Sequence, residues 1–246
     1  MSLRPTREAP VSRQGAVSPA CVAYQSGPVA EVLMAMDRQG ITGTIYVYAP
    51  VAVDMVRLLR SAVLAGHEIG NAALIHLTDE DGLLMTEDPE VLKREIAETE
   101  EFIANVLQDK RNHSLALSLA PDSHGPELVL DQIAQALNLL AMEELRNWGP
   151  RTWLTGSHGL NVPPVDRRSV LSWNVRDGDG VVRQAIQARG WAVPRFDPPM
   201  QSAGESSLDG FAEMCRLAAE ARDRVWVGSV HQASIALTKG NLVLDA

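Results

Sequence analysis

Six histidines are the first place to look for chemistry in this 246-residue chain. Imidazole is both a common metal ligand and the side chain that exchanges protons near neutral pH. His67 and His76 share one segment, Ala65-Gly66-His67-Glu68-Ile69-Gly70-Asn71-Ala72-Ala73-Leu74-Ile75-His76. A hydrolytic metal centre needs about three protein ligands and one position open to water. A lone loop histidine is more often hydrogen-bonded scaffold than ligand, so His76 is placed in a substrate pocket and no metal or other cofactor is expected. His231 follows the apolar run Val225–Val230, where an α/β barrel places functional groups, and is the candidate acid/base. Asp122 and Asp179 are candidate pocket carboxylates, although aspartates among Pro and Gly more often serve turns. Trp148, Trp153, Trp173, Trp191 and Trp226 offer a stacking surface or core, with Trp173 assigned to the pocket. Glu95, Glu98, Glu100 and Glu101 read as a solvated helix face.

These groups need a scaffold, and the order of elements supplies one. Cys21-Val22-Ala23-Tyr24 is a short buried strand, and Gly27-Pro28 opens a helix that runs through Val32, Leu33 and Met36 to Gly40. Thr44–Tyr48 is β-branched and aromatic throughout. A helical pattern at Val53, Val56, Leu59 and Val63 then ends at Gly66. Asp88-Pro89-Glu90 starts a helix with Leu92, Ile96, Ile103 and Leu107 on one face. Strands are expected at 114–119, 169–173, 225–230 and 241–244. Helices are expected from Gly125, over 181–188 and over 207–222, and the proline-bearing stretch 194–206 reads as loop. Repeated strand–helix units predict a parallel α/β fold, barrel or open sheet. No glycine fingerprint for a dinucleotide and no phosphate loop follows a strand.

Composition narrows the class. Apolar residues make up 46% of the chain, enough for one large core, and the net charge of −9 argues against a general nucleic-acid or anionic-membrane binder. No apolar run is long enough to span a membrane. Residues 1–19 read as a loose arm without a secretory pattern, and 20–246 as a single domain. Cys21 and Cys215 are expected as free buried thiols, and the cytoplasm is the default compartment.

The segments around residues 23–28, 40–47 and 66–76 together resemble the polysaccharide deacetylase (NodB homology) family, carbohydrate esterase family 4, and the likeness extends from Cys21 to His231. That resemblance implies an irregular, incompletely closed (β/α) barrel. It also implies a Thr-Phe-Asp-Asp-Gly-Pro block at Ala23-Tyr24-Gln25-Ser26-Gly27-Pro28, where Gly-Pro survives and both carboxylates are replaced. The second block retains His76 and the His67 turn, but has Ala72 where the family carries its other histidine. The family's later blocks align with Leu119–Ser123, where only Pro121 of Arg-x-Pro-x-Gly remains and Leu119 replaces the arginine, with Arg176–Gly180, which keeps Asp179, and with Ser229-Val230-His231, which puts His231 where the family has its general acid. Gln25 cannot accept a proton near neutral pH, and Ser26 is a poor divalent-metal ligand.

Three functions follow from that pattern. One is a ligand-binding or assembly-forming barrel that has lost the metal-dependent N-deacetylase site. Another is a metal-independent hydrolase of non-peptide amide bonds using His231, with Gln25, Ser26 or Asp122 positioning substrate or water. The third is a metal-dependent sugar deacetylase with ligands recruited from elsewhere. The expected partner is a small-molecule or carbohydrate ligand, with a homo-oligomer also open and neither nucleic acid nor membrane expected.

Overall fold

The computed structural model describes residues 11–73, 86, 88–109, 170–174, 178–187, 189–196, 208–238 and 242–244. The strand expected at 114–119 and the helix expected from Gly125 lie outside these residues.

Strand β1 (Val11–Arg13) pairs in parallel with the late strand β9 (Leu242–Leu244). Among the described residues the main sheet has seven parallel strands. β2 (Gly15–Val17) and β3 (Ala20–Val22) both lie along β7 (Trp191–Phe196), the first against Trp191 and Ala192, the second against Arg195 and Phe196. The register offset is the same for both pairs, so β2 and β3 form one line broken at Ser18-Pro19. On the far side of this line, β8 (Val225–Val227) pairs with β2 and β4 (Thr44–Val47) with β3. β8 and β4 therefore lie end to end. β5 (Glu68–Asn71) continues the sheet beyond β4, and β6 (Val170–Asn174) flanks β7 on its other side. The result is an open, incompletely closed βα barrel.

Helices follow the strands for local reasons. α1 (Ser26–Arg38) buries Val29, Val32, Leu33 and Met36, a spacing that lines one helical face. α2 (Val53–Leu64) presents Met55, Leu59 and Ala62 inward. Val53, expected on that stripe, is instead exposed. Gly66 ends the segment with φ +93°, a conformation that disfavours any side chain. In α3 (Pro89–Glu101), Asp88 accepts a hydrogen bond from the Glu90 amide at 3.0 Å, and Pro89 occupies the first position. A π-helical turn, Phe102–Val106, extends α3 and lets Ile103 and Leu107 reach the core. α4 (Gly178–Gln187) packs on α5 (Leu208–Glu220), which also packs on α1. Cys21 and Cys215 are buried and outside any disulfide, as composition suggested, and burial pushes the Cys215 thiol well above its ordinary range. Among the described residues no helix is long and apolar enough to cross a membrane.

Three expectations need correction. Residues 11–17, assigned to a loose arm, form β1 and β2, and Ala16 and Val17 are fully buried. Two-residue apolar runs beside Gly15 carry too little pattern to announce a strand. Pro194, read as the start of a loop, lies inside β7. It stands opposite the Ser18-Pro19 break, where no ladder bond is asked of its missing N–H. The run Val225–Val230 is only a strand to Val227. Val230 instead opens helix α6 (Val230–Thr238), which carries His231.

Candidate functional site

The C-terminal ends of β3, β4 and β5 surround a cavity of about 420 Å³. In parallel βα barrels this is the end that carries chemistry, because the loops after the strands converge there. Val22, Ala23, Met55 and Ala72 line its apolar part. Tyr24, Gln25, Ser26, Tyr48 and Asp54 supply its polar and aromatic groups. Tyr24 is 46% exposed at the mouth, an uncommon position for a large aromatic side chain.

The Ser26, Asp54 and Tyr48 side chains are each held by an identifiable bond. Gln25 is the extended residue before α1, with φ −139° and ψ 141°, and makes no side-chain cap. Ser26 follows it, and its hydroxyl donates to Asp54 Oδ2 at 2.5 Å across the gap between α1 and α2. Asp54 stands in the first turn of α2, where a carboxylate suits the positive helix end. The Ser26 bond, followed by one from the Met55 amide, holds the Asp54 carboxyl below the usual carboxylate range. Tyr48 donates its phenol proton to Glu95 Oε2 on α3 at 2.9 Å. Burial, then the bond to Glu95 and its charge, raises the Tyr48 phenol above its ordinary value.

Asn71, the last residue of β5, braces this end from behind. Its amide nitrogen donates to the Ile96 carbonyl at 3.0 Å and to Glu100 Oε1 at 2.9 Å, while its oxygen accepts from the Ala73 amide. The sheet edge under the cavity is thus tied to α3.

Among the described residues, Gln25 and Ser26 are the predicted site residues that line the cavity, with Tyr24 and Ala72 of the same two motifs beside them. Trp173 lies on β6, and Asp179, read as a loop residue, lies in the first turn of α4. His76 and Asp122 are outside the described residues. His231 is not at this end. Its amide donates to Glu68 Oε2 at 2.8 Å, and the neighbouring Val230 amide donates to Thr44 Oγ1 at 3.0 Å. Glu68 and Thr44 begin β5 and β4, so His231 sits at the opposite end of the strands from Gln25 and Ser26. The misreading of Val225–Val230 as one strand caused this misplacement.

His67, expected to serve its turn, does so. It is buried, its Nδ1 accepting from the Gly43 amide at 3.2 Å and its Nε2 lying 3.1 Å from Asp37 Oδ1. Sequence reasoning missed Tyr48 and Asp54. Both follow the end of β4, the best strand in the chain, and position after a strand was the signal available.

No protein-family model matches the chain, and no curated protein sequence matches it. Solved structures do. A family 4 acetyl xylan esterase from Clostridium thermocellum, in complex with a cobalt ion, matches with TM-score 0.57 and 12% identity over 93% of each chain. The wild-type family 4 pseudoenzyme of Bacillus anthracis matches with TM-score 0.53 and 12% identity, over 92% of this chain and 69% of that one. PdaA of Bacillus subtilis, a family 4 carbohydrate esterase, matches with TM-score 0.55 and 13% identity, over 91% and 81%.

The cobalt-bound neighbour raises the question of a metal here. Among the described residues, no group of three or more His, Cys, Asp and Glu side chains is placed to hold one. Among the described residues the cavity lining offers Asp54 as its single carboxylate and no imidazole. An amide, a hydroxyl and a methyl stand at Gln25, Ser26 and Ala72. This donor set does not fit a catalytic divalent ion. The arrangement can accept and donate hydrogen bonds to an uncharged polar ligand against an aromatic edge. An open parallel βα barrel with a strand-end cavity and a Gly-Pro start to α1, matched along nine-tenths of its length, has the fold of the family 4 carbohydrate esterases, the polysaccharide deacetylases.

Proposed function

We propose that this chain is a carbohydrate-binding pseudoenzyme on the deacetylase fold, one that no longer performs metal-dependent N-deacetylation. The observation that carries the reading is the lining of the strand-end cavity, where Gln25, Ser26 and Ala72 hold the positions that the sequence resemblance assigns to a deacetylase's base and metal ligands. Tyr24 supplies an exposed ring for a sugar face, and Asp54, Gln25 and the Tyr48 phenol oxygen supply acceptors and donors for hydroxyls. The charge balance suits a neutral ligand, because the N-terminal dipoles of α1 and α2 oppose the single Asp54 charge. A pseudoenzyme among the matched structures gives precedent for the fold persisting without its ordinary activity.

Asp54 is a poor stand-in for the missing base. General-base catalysis favours a group titrating near the working pH, whereas Asp54 is depressed below the carboxylate range. His231, the acid/base of the metal-independent alternative, bonds at the other end of the strands.

Two assays test the reading. Calorimetric titration with the N-acetylglucosamine tetramer should show binding that weakens in Tyr24→Ala. Acetate release from the same oligomer, with and without added zinc or cobalt, should stay at the blank. Loss of a positioned base alone removes about 10²- to 10⁴-fold of rate, and loss of the metal compounds it. Metal-stimulated release of acetate by the purified chain overturns the proposal.

A further inference from the structure

At the opposite end of the barrel, the turns leading into β2, β4 and β8 enclose a second cleft of about 390 Å³. Arg13, Thr42, Arg222 and Trp226 line it. The two arginines are held in place by backbone carbonyls. Arg13 donates Nε–H to the Arg222 carbonyl at 3.1 Å and Nη1–H to the Ser12 carbonyl at 2.8 Å. Arg222 donates from Nη2 to the Gln39 and Gly40 carbonyls, at 3.1 and 2.6 Å. Among the described residues neither guanidinium forms an ion pair with a carboxylate, and each keeps further N–H groups beyond these bonds.

That is an unusual economy in a chain of net charge −9, where Arg94 and Arg216 each hold two glutamates. The same end carries Arg189 and Arg224 in the turns before β7 and β8, against Asp223. Asp37 and Arg38, adjacent at the end of α1, cancel. With Glu68 and Asp223 set against Arg13, Arg189, Arg222 and Arg224, and Glu220 paired with Arg216, the described charges at this end still sum to a positive value although the molecule is acidic.

We infer that this cleft binds a compact phosphate-type oxyanion, independently of the cavity at the other end. Two preordered guanidiniums suit it, since their planar forks match tetrahedral oxyanions and little side-chain freedom is left to lose. The Thr42 hydroxyl adds a donor, and the Trp226 indole gives a flat wall for whatever group carries the phosphate.

The probe is inorganic pyrophosphate, titrated into ¹⁵N-labelled full-length chain and compared with sodium chloride at equal ionic strength. Pyrophosphate should shift the Trp226 indole resonance and raise the melting temperature, and chloride should do neither. Arg13→Gln should weaken binding by about tenfold, the loss of a charge-assisted contact. Arg222→Gln should weaken it similarly, with circular dichroism confirming the fold because Arg222 also steadies the α1 turn. Glucose 6-phosphate and adenosine monophosphate, titrated in parallel, separate a sugar-borne from a nucleotide-borne phosphate, the second gaining from stacking on Trp226. An equal response to chloride overturns the inference. So does a shift confined to residues around Ser26, or unchanged affinity in folded Arg13→Gln.

Discussion

Replacing Glu68 by alanine should cost this protein about 3–5 kcal/mol, although the residue lies far from the cavity. Glu68 is buried at the start of β5, and one oxygen, Oε2, accepts from the Thr44 hydroxyl and from the His231 amide, both at 2.8 Å. Thr44 in turn accepts from the Val230 amide at 3.0 Å. Two side chains from the starts of β4 and β5 thus cap the first turn of α6, whose amides have no partner within the helix. A hydrogen bond to a charged acceptor contributes about 1.5–3 kcal/mol. An anion at a partly buried helix N-terminus adds up to about 2 kcal/mol. Removing the carboxylate forfeits both bonds and leaves a part-buried amide without this acceptor, whereas Glu68→Gln retains an accepting oxygen and should cost only about 1–2 kcal/mol. Urea unfolding at neutral pH measures both values. A double-mutant cycle with Thr44→Val should show coupling of about 1 kcal/mol or more, because the two residues share one network. Glu68→Ala costing under about 1 kcal/mol, or additivity with Thr44→Val, would refute the capping argument.

Two further outcomes follow from the same geometry. Gly43→Ala should lower stability by about 1–3 kcal/mol in thermal unfolding. The new methyl would meet the Pro19 carbonyl oxygen at 2.6 Å and the Met36 sulfur closer still, and only the thioether can move aside. An unchanged melting temperature would show that the strand start yields. Ser26→Ala should raise the Asp54 midpoint in a carboxyl-detected NMR titration, toward the ordinary value of 3.8. The sign is fixed by the depression: the contact favours the folded state above the ordinary carboxylate range and is lost as pH falls through the lowered midpoint. A midpoint indifferent to Ser26 would assign the shift to the helix amides instead.

The elements that could be read from sequence were those whose pattern is local. Thr44–Val47, the α1 stripe and the Asp88-Pro89 start each announce themselves within a few residues. β2 and β7 could not, since three-residue runs and an internal proline gain meaning only from the strands beside them. The cavity was half legible. Gln25 and Ser26 follow from the Gly-Pro start of α1, but Asp54 becomes relevant only when α2 brings its first turn against α1. His231 was misplaced because an apolar run continues from β8 into α6, and hydropathy does not mark where extended backbone gives way to helix.

The broken line of β2 and β3 bears on how the chain is made. β2 pairs with residues near Trp191 on one side and near Val225 on the other, so neither flank can be filled until most of the polypeptide has left the ribosome. At synthesis rates of about 5–20 residues per second, the strand waits roughly 10–40 s for its last partner. β3, β4 and β5 can assemble early from neighbouring sequence, whereas Ala16 and Val17 remain an apolar edge with open backbone groups throughout that interval. Vectorial synthesis therefore builds the cavity end first and completes the arginine-bearing end last, leaving the nascent chain most exposed to off-pathway association at β2.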